Sequence, residues 1–266
     1  MSQVLKLADD PNASPKTMER LVESDSAITA KILRVANSPF YGLSGCTSIA
    51  RAISVLGMNQ IRSLIVGIAY QQLLSGKQSS TNFNKIEFWK HSLAAATAAK
   101  ILGKLKMPMK SEELYGAAMM HDVGLLVMDR FCPDQLDQAI RYANETGMEL
   151  WQAEQLLFDF THCQVGKILA DRWQITGMIS DAITHHHDLE SEEQFYKTTC
   201  FVAAANHFAH MCGFTNSCPK TGHEIPDSVL EAVDLPEEQI PVILQVVQGE
   251  VEKAQSAFQI GGERAA

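Results

Sequence analysis

Imidazoles and carboxylates recur along this chain in stretches that are otherwise apolar. His91 lies in FWKHSLAAA, His121-Asp122 in AAMMHDVGLLV, His162 in FTHCQVGKILA, and His185, His186 and His187 close AITHHHDLE. A buried imidazole or carboxylate without a partner is costly, so their recurrence predicts that they face one another. The chemistry open to such a set is metal ligation. Nitrogen from imidazole with oxygen from carboxylate suits first-row transition metals, and an octahedral N/O set suits iron or manganese. Neighbouring side chains on a helix diverge by roughly 100°. His121 and Asp122 therefore reach one ion only where their helix stops or where the ion sits between them, and Gly124 is expected to supply the stop. His186 and His187 pose the same geometric problem at the end of their own helix.

Each of these residues also has a plainer reading. A single histidine on an apolar face, such as His91, is usually a satisfied core residue. His121-Asp122 could be a polar pair at a helix end, where a histidine suits the dipole. Three adjacent histidines cannot all face inward, so His185–His187 could cap a helix in solvent. His207 and His210 read as boundary residues, and His223 sits in a loop with no case for chemistry.

The elements that would position this set are helical. Ser14-Pro15 places a capping hydroxyl before a proline at the first helical position. A helix from Ala27 to Ala36 aligns Ile28, Ile32, Leu33 and Val35, and stops at Asn37-Ser38-Pro39. Ser48 and Gly57 bracket the next helix, and Asn59 is expected to cap one running to about Leu74. Ser75–Asn84 is polar, rich in small residues and without periodicity, which marks a linker. A helix from about Lys85 to Lys104 carries His91, and Ser111 is expected to cap the one that ends at His121-Asp122. Further helices are expected at 134–146, 149–158, 162–172, 177–186, 192–211, 227–234 and 239–258. Period-two alternation is scarce, so the expectation is an all-α protein of two helical lobes: 1–74, a linker at 75–84, a second lobe at 85–212, and a helical extension at 213–266. Val242, Leu244, Val246 and Val247 are expected to seat that extension on the second lobe. Asn37–Tyr41 offers the best candidate exposed feature of the first lobe, although Asn37 can equally close a helix with Phe40 and Tyr41 packed beneath the loop.

Composition narrows the function classes. The 266 residues are 46% hydrophobic, with a formal charge of −9. No Lys/Arg run stands out, which argues against nucleic acid. The six scattered cysteines contain no C-x-x-C pair and read as reduced thiols of a cytoplasmic protein. No secretory signal is visible. The apolar stretch at Ile61–Tyr70 is too short to span a bilayer. Protein partners or small ligands remain.

The stretches SDSAITAKILRVANSPFYG and TSIARAISVLGMNQIRSLIVG, followed by FWKHSLAAATAAKIL, ELYGAAMMHDVGLLVM, THCQVGKILADRWQI and AITHHHDLE, resemble an HDOD domain over roughly residues 1–212. That family is a bacterial signalling relative of the HD phosphohydrolases. The resemblance implies that the second lobe is an HD-like helical bundle. It puts His91, His121, Asp122, His162, His186 and His187 in metal-ligand positions, with iron, manganese, zinc or nickel as the candidate ion. It also exposes departures. The last aspartate of HD enzymes falls at Asn206, the lysine that HD-GYP enzymes carry after their HD-x-G turn falls at Leu125, and no GYP follows the histidine pair. The expectation is therefore a non-catalytic regulatory module that acts on protein partners in a signalling pathway. The alternative is a metal-dependent phosphohydrolase acting on a nucleotide-type phosphoester, with His121 and Asp122 at its centre. A third variant is a sensor whose bound metal or ligand changes the arrangement of the lobes.

Overall fold

A computed structural model of the protein describes residues 13–39, 41–73, 80–189, 193–218 and 225–258. Among them there is no strand, and the all-α expectation holds. The segment expected as a first lobe folds as α1 (Pro15–Glu23), α2 (Ser26–Ala36), α3 (Ile49–Leu56) and α4 (Met58–Leu73). Ser14 caps α1 by accepting from the Thr17 amide, and Ser48 caps α3 through the Arg51 amide. Ile28, Ile32, Val35 and Ala36 form the buried face of α2. Gly57 ends α3 at φ 84°, a conformation costly for other residues. Because α4 follows at Met58 without a loop, Asn59 is not the expected cap; its side chain accepts from Arg62 Nη1 instead. Asn37 closes α2 as a structural staple. Its amide donates to the Leu33 and Cys46 carbonyls and accepts from the Cys46 amide. Tyr41 packs against the core, and Phe40 lies outside the described residues.

The segment expected as a second lobe opens with α5 (Lys85–Lys106), which is buried on nearly every side from Phe88 to Ala99. A helix that is apolar all round belongs in an interior, and the small side chains of LAAATAA let its neighbours come close. Those neighbours are α6 (Ser111–Met120), α12 (Glu193–Met211) and α14 (Ile240–Phe258). Between them run α7 (Val123–Phe131), α8 (Pro133–Thr146), α9 (Leu150–Phe158), α10 (His162–Trp173), α11 (Gly177–His185) and α13 (Asp227–Val233). The described end of the expected linker is tied down. Ser80, Thr81 and Asn82 donate their amides or hydroxyls to the Asp137 carboxylate, the Ser80 amide reaches Asp129, and Asn84 caps α5. Its polar composition serves hydrogen bonding at this end. The lobes meet where α4 lies on α6. There Ser63 Oγ donates to Glu112 Oε2 at 2.8 Å, and Lys100 pairs with the other oxygen of Glu112 at 2.7 Å.

Other local expectations are corrected. Ser111 does not cap α6: it is the first helical residue, and its hydroxyl donates back to the Pro108 carbonyl. On α14 the buried face is Ile243, Val247, Val251 and Ala254, while Val242 and Val246 are exposed. Gly124 does not stop a helix; it sits inside α7, a helix the pattern did not announce. Its role is close approach. A Cβ at Gly124 would lie 1.9 Å from the His162 carbonyl oxygen and 2.9 Å from the Gly166 amide nitrogen. The backbones of α7 and α10 therefore touch at the residue that begins α10, which brings His162 beside Asp122.

Gly124→Ala is expected to force α7 and α10 apart and to destabilise the fold by about 1–3 kcal/mol or more through overpacking. Equilibrium urea unfolding checks this; an unchanged midpoint would mean that the contact is slack.

Candidate metal centre

Separate elements deliver the predicted side chains to one buried point. α5 carries His91, α6 ends on His121, Asp122 stands at the α6–α7 junction, His162 opens α10, and His186 and His187 follow the end of α11. His91, His121, Asp122 and His162 are completely buried, and His186 is 3% exposed.

The outer nitrogen of the four buried imidazoles is fixed by an oxygen acceptor. His91 Nδ1–H donates to the Phe214 carbonyl at 2.9 Å, His121 Nδ1–H to the Ala118 carbonyl at 2.6 Å, and His186 Nδ1–H to the Ala182 carbonyl at 2.8 Å. His162 Nδ1–H donates to Glu154 Oε2 at 2.7 Å, and the same oxygen accepts the His162 amide at 2.8 Å. A hydrogen bond at one ring nitrogen sets the tautomer and leaves the other as a lone-pair donor. The four Nε2 atoms all turn toward Asp122. Oδ2 lies 3.4 Å from both His91 and His121, and Oδ1 lies 3.1 Å from His162 and 3.2 Å from His186. Asn216 Nδ2 donates to Oδ2 at 3.1 Å.

This convergence is deficient in positive charge. His91 Nε2 and His121 Nε2 are 3.4 Å apart, yet both Nδ1 atoms already hold the ring hydrogens. Among the described residues, His162 Nε2, His186 Nε2 and Asp122 Oδ1 lack hydrogen-bond partners despite their short separations. So do the buried Asn216 Oδ1, Asn206 Oδ1 and Glu154 Oε1. All of these can act as acceptors. Nitrogen donors about 2.1 Å from one ion stand roughly 3.0–3.4 Å apart at ordinary coordination angles, which fits the spacing seen. Two groupings could hold an ion, and they share Asp122: His91 with His121, and His162 with His186 and His187. One oxygen of the carboxylate faces each grouping: Oδ2 faces His91 and His121, and Oδ1 faces His162 and His186.

Several site residues were not among the sequence candidates. Glu154 is a fully buried carboxylate on α9, eight residues before His162; an acid in the apolar WQAEQLLF run was the available signal. Phe214 and Asn216 lie beyond the expected lobe boundary at 212, and no motif marks them. His210 is not a boundary residue: it is 3% exposed and packs edge-on to His91 with ring centroids 5.0 Å apart. His187 stacks on Trp151, whereas His185 ends α11 half-buried. Asn206 and His207 line the cavity next to His186 and His187. Leu125 is buried in the hydrophobic core. His223 falls outside the described residues.

In the metal-free protein, protons occupy part of the space that a cation would take. Burial works against charging His162, but Glu154 and Cys163 outweigh it and raise its pKa well above the ordinary value. His186 is likewise opposed by burial, yet Cys163 and Asp122 raise it to about 9. Burial lowers the pKa of His121. Asp122, despite its burial, is held well below the carboxylate range by the imidazoles around it. The proton on His186 therefore stabilises the metal-free fold below the unfolded value, roughly pH 6.5, and this contribution fades as pH rises through about 9.

A metal must displace such protons. Apparent affinity for a divalent ion is expected to rise about tenfold per pH unit for each proton displaced, and to level off once pH passes about 9. Chelator competition from pH 6.5 to 9.5, corrected for the chelator's own titration, measures this; a flat profile would remove His186 from the ligand set.

Comparison with known proteins places this geometry. A solved HDOD domain protein of unknown function from Geobacter sulfurreducens superposes with a TM-score of 0.74 at 25% identity, covering 97% of this chain and 89% of its own. A candidate signal transduction protein of Marinobacter aquaeolei superposes at 0.78 with 18% identity over 97% of this chain and 58% of that one. A candidate phosphohydrolase of Shewanella amazonensis superposes at 0.73 with 19% identity over 97% and 92%. At those identities the last two likenesses show the fold alone. An uncharacterized protein of Treponema pallidum is 22% identical over 261 residues, covering 96% of this chain and 49% of the relative. The chain thus spans about half the length of that curated relative. The HDOD domain sequence pattern matches residues 1–189, which include His91, His121, Asp122, His162, His186 and His187. With that match added to the helical fold, the chain belongs to the HDOD domain family.

Proposed function

We propose that this chain is a metal-holding regulatory module that acts through protein partners and does not itself hydrolyse phosphoesters. The observation that carries this reading is the wall beside the histidines. A cavity of about 480 Å³ reaches His186 and His187; among the described residues its lining includes Glu149, Trp151, Asn206 and Asp227 but no Lys or Arg. Phosphoryl transfer depends on positive groups placed around the phosphate oxygens, and among the described residues the charged groups of this lining other than histidine are acidic. Leu125 fills core space at the lysine position, and Asn206 puts a neutral amide at the aspartate position. His91, His121, Asp122, His162, His186 and His187 would hold the metal. Bound there, it would supply charge balance to the converging lone pairs and tie α5, α6, α10 and α11 together. Binding only to the folded state adds stability in proportion to ligand saturation, so occupancy would be sensed as rigidity of the second lobe.

A metal-dependent phosphohydrolase is the second reading, supported by a full ligand cluster that the cavity reaches. A bound ion would contribute Lewis-acid stabilisation of developing charge. The names of the Marinobacter and Shewanella neighbours point one each way, toward signalling and toward phosphohydrolysis.

The deciding experiment is elemental mass spectrometry on untagged protein, followed by turnover assays on the loaded form. Near-stoichiometric iron, manganese, zinc or nickel is expected, and Asp122→Ala should lose it. The loaded protein should leave nucleotide and cyclic dinucleotide phosphoesters intact. Turnover that disappears in Asp122→Ala would decide for the hydrolase, and no metal uptake at all would sink both readings.

A further inference from the structure

A second cavity, of about 560 Å³, lies where the N-terminal helices, α5, α6 and α14 meet. Its volume is that of ordinary small-molecule pockets. Tyr41, Leu56 and Gln60 come from the first lobe, Thr97, Lys100, Ile101, Lys104 and Leu105 from α5, Tyr115 from α6, and Val246 and Glu250 from α14.

The charges of this lining leave one cation over. Lys100 is balanced by Glu112 at 2.7 Å, and Glu250 is balanced by Lys253 at 2.7 Å. With the Gln60 amide oriented to satisfy both its ends, its oxygen accepts from Lys100 Nζ at 2.9 Å. An ammonium has three donors; those of Lys100 serve Glu112 and Gln60, and its Nζ also lies 5.6 Å from the Tyr115 ring centroid. Lys104 stands beside it and makes no hydrogen bond or ion pair among the described residues. Deeper in, Thr97 Oγ1 is buried without a hydrogen-bond partner. The rim is apolar: Leu105 is 56% and Val246 45% exposed, on opposite banks. Two neighbouring ammonium groups, one of them unpaired among the described residues, and a hydroxyl without a partner among them, set against two exposed aliphatic side chains, describe the complement of one molecule type.

We propose that this junction binds a small amphipathic anion, a carboxylate or phosphate head held by Lys104 and Lys100 with an aliphatic tail against Leu56, Ile101, Leu105 and Val246. Such a ligand touches the first lobe, α5 and α14 at once, so its binding fastens the first lobe and the C-terminal helix to the second lobe. The site shares no residue with the histidine cluster, and its occupancy is independent of metal.

Calorimetric titration of the full chain with decanoate and with decyl phosphate, each below its micellar concentration, tests this. Saturable one-to-one binding of either supports the proposal, and the tighter of the two identifies the head group. Decanol and acetate, lacking the head and the tail respectively, should bind at least tenfold more weakly. Lys104→Glu and Val246→Asp alter exposed residues and should each weaken binding at least tenfold, with the circular dichroism melt and the metal content unchanged. Absence of saturable binding by both amphiphiles would overturn the proposal, as would affinity that neither substitution moves.

Discussion

The arrangement of the second lobe follows from one carboxylate in the middle of a helical bundle. Asp122 is completely buried, and an unpaired charge in such a place costs several kcal/mol or more. The protein surrounds it with imidazoles whose outer nitrogens are all committed to oxygen acceptors. That solves the placement of each ring and leaves the centre short of positive charge. Protons on His162 and His186 supply some of it in the metal-free protein, and a metal ion would supply it with better geometry. Stability and metal affinity in this lobe are therefore two faces of the same electrostatic requirement.

Steric devices serve that requirement. Gly124 lets α7 rest on the backbone at the start of α10, and Gly166 meets Ile183 on α11 with similarly little clearance. The alanine run of α5 brings α6 and α12 near His91. Larger residues at these places would widen the helix spacing, and a displacement of an ångström is large against a set of ligand contacts spanning a few tenths. The loop after α12 completes the enclosure through the Phe214 carbonyl and the Asn216 amide. A part of the chain beyond the matched family pattern thus orients two of the residues at the centre.

The lobes are joined by a different kind of contact. Ser63, Glu112, Lys100 and Gln60 form a partly buried polar network across the seam, and partly buried networks have few equivalent arrangements. The junction cavity lies against this network, and α14 lies along the same side of α5. The same helix, α5, carries Lys100 at the seam and His91 at the centre.

The sequence alone determined what local physics can write. Capping serines at Ser14 and Ser48, the stop at Gly57, the helical periodicities and the histidine positions were legible, because each depends on neighbours within a few residues. The resemblance to the HDOD domain picked out His91, His121, Asp122, His162, His186 and His187 together, where the local pattern alone left each with a plainer reading. Tertiary structure decided the rest. Gly124 read as a terminator because its neighbours in sequence allow that; only the arrival of α10 shows that the missing side chain is needed for contact. Val242 and Val246 read as core, yet the face of α14 is chosen by α5 and leaves them in solvent. Glu154, His210 and Asn216 gained their roles from chain segments 8 to 119 residues away from the groups they touch, as in Glu154 with His162 and His210 with His91. The division of Asp122 between two sets of histidines has no signature along the chain, because it is set by the three-dimensional angle at which four helices meet.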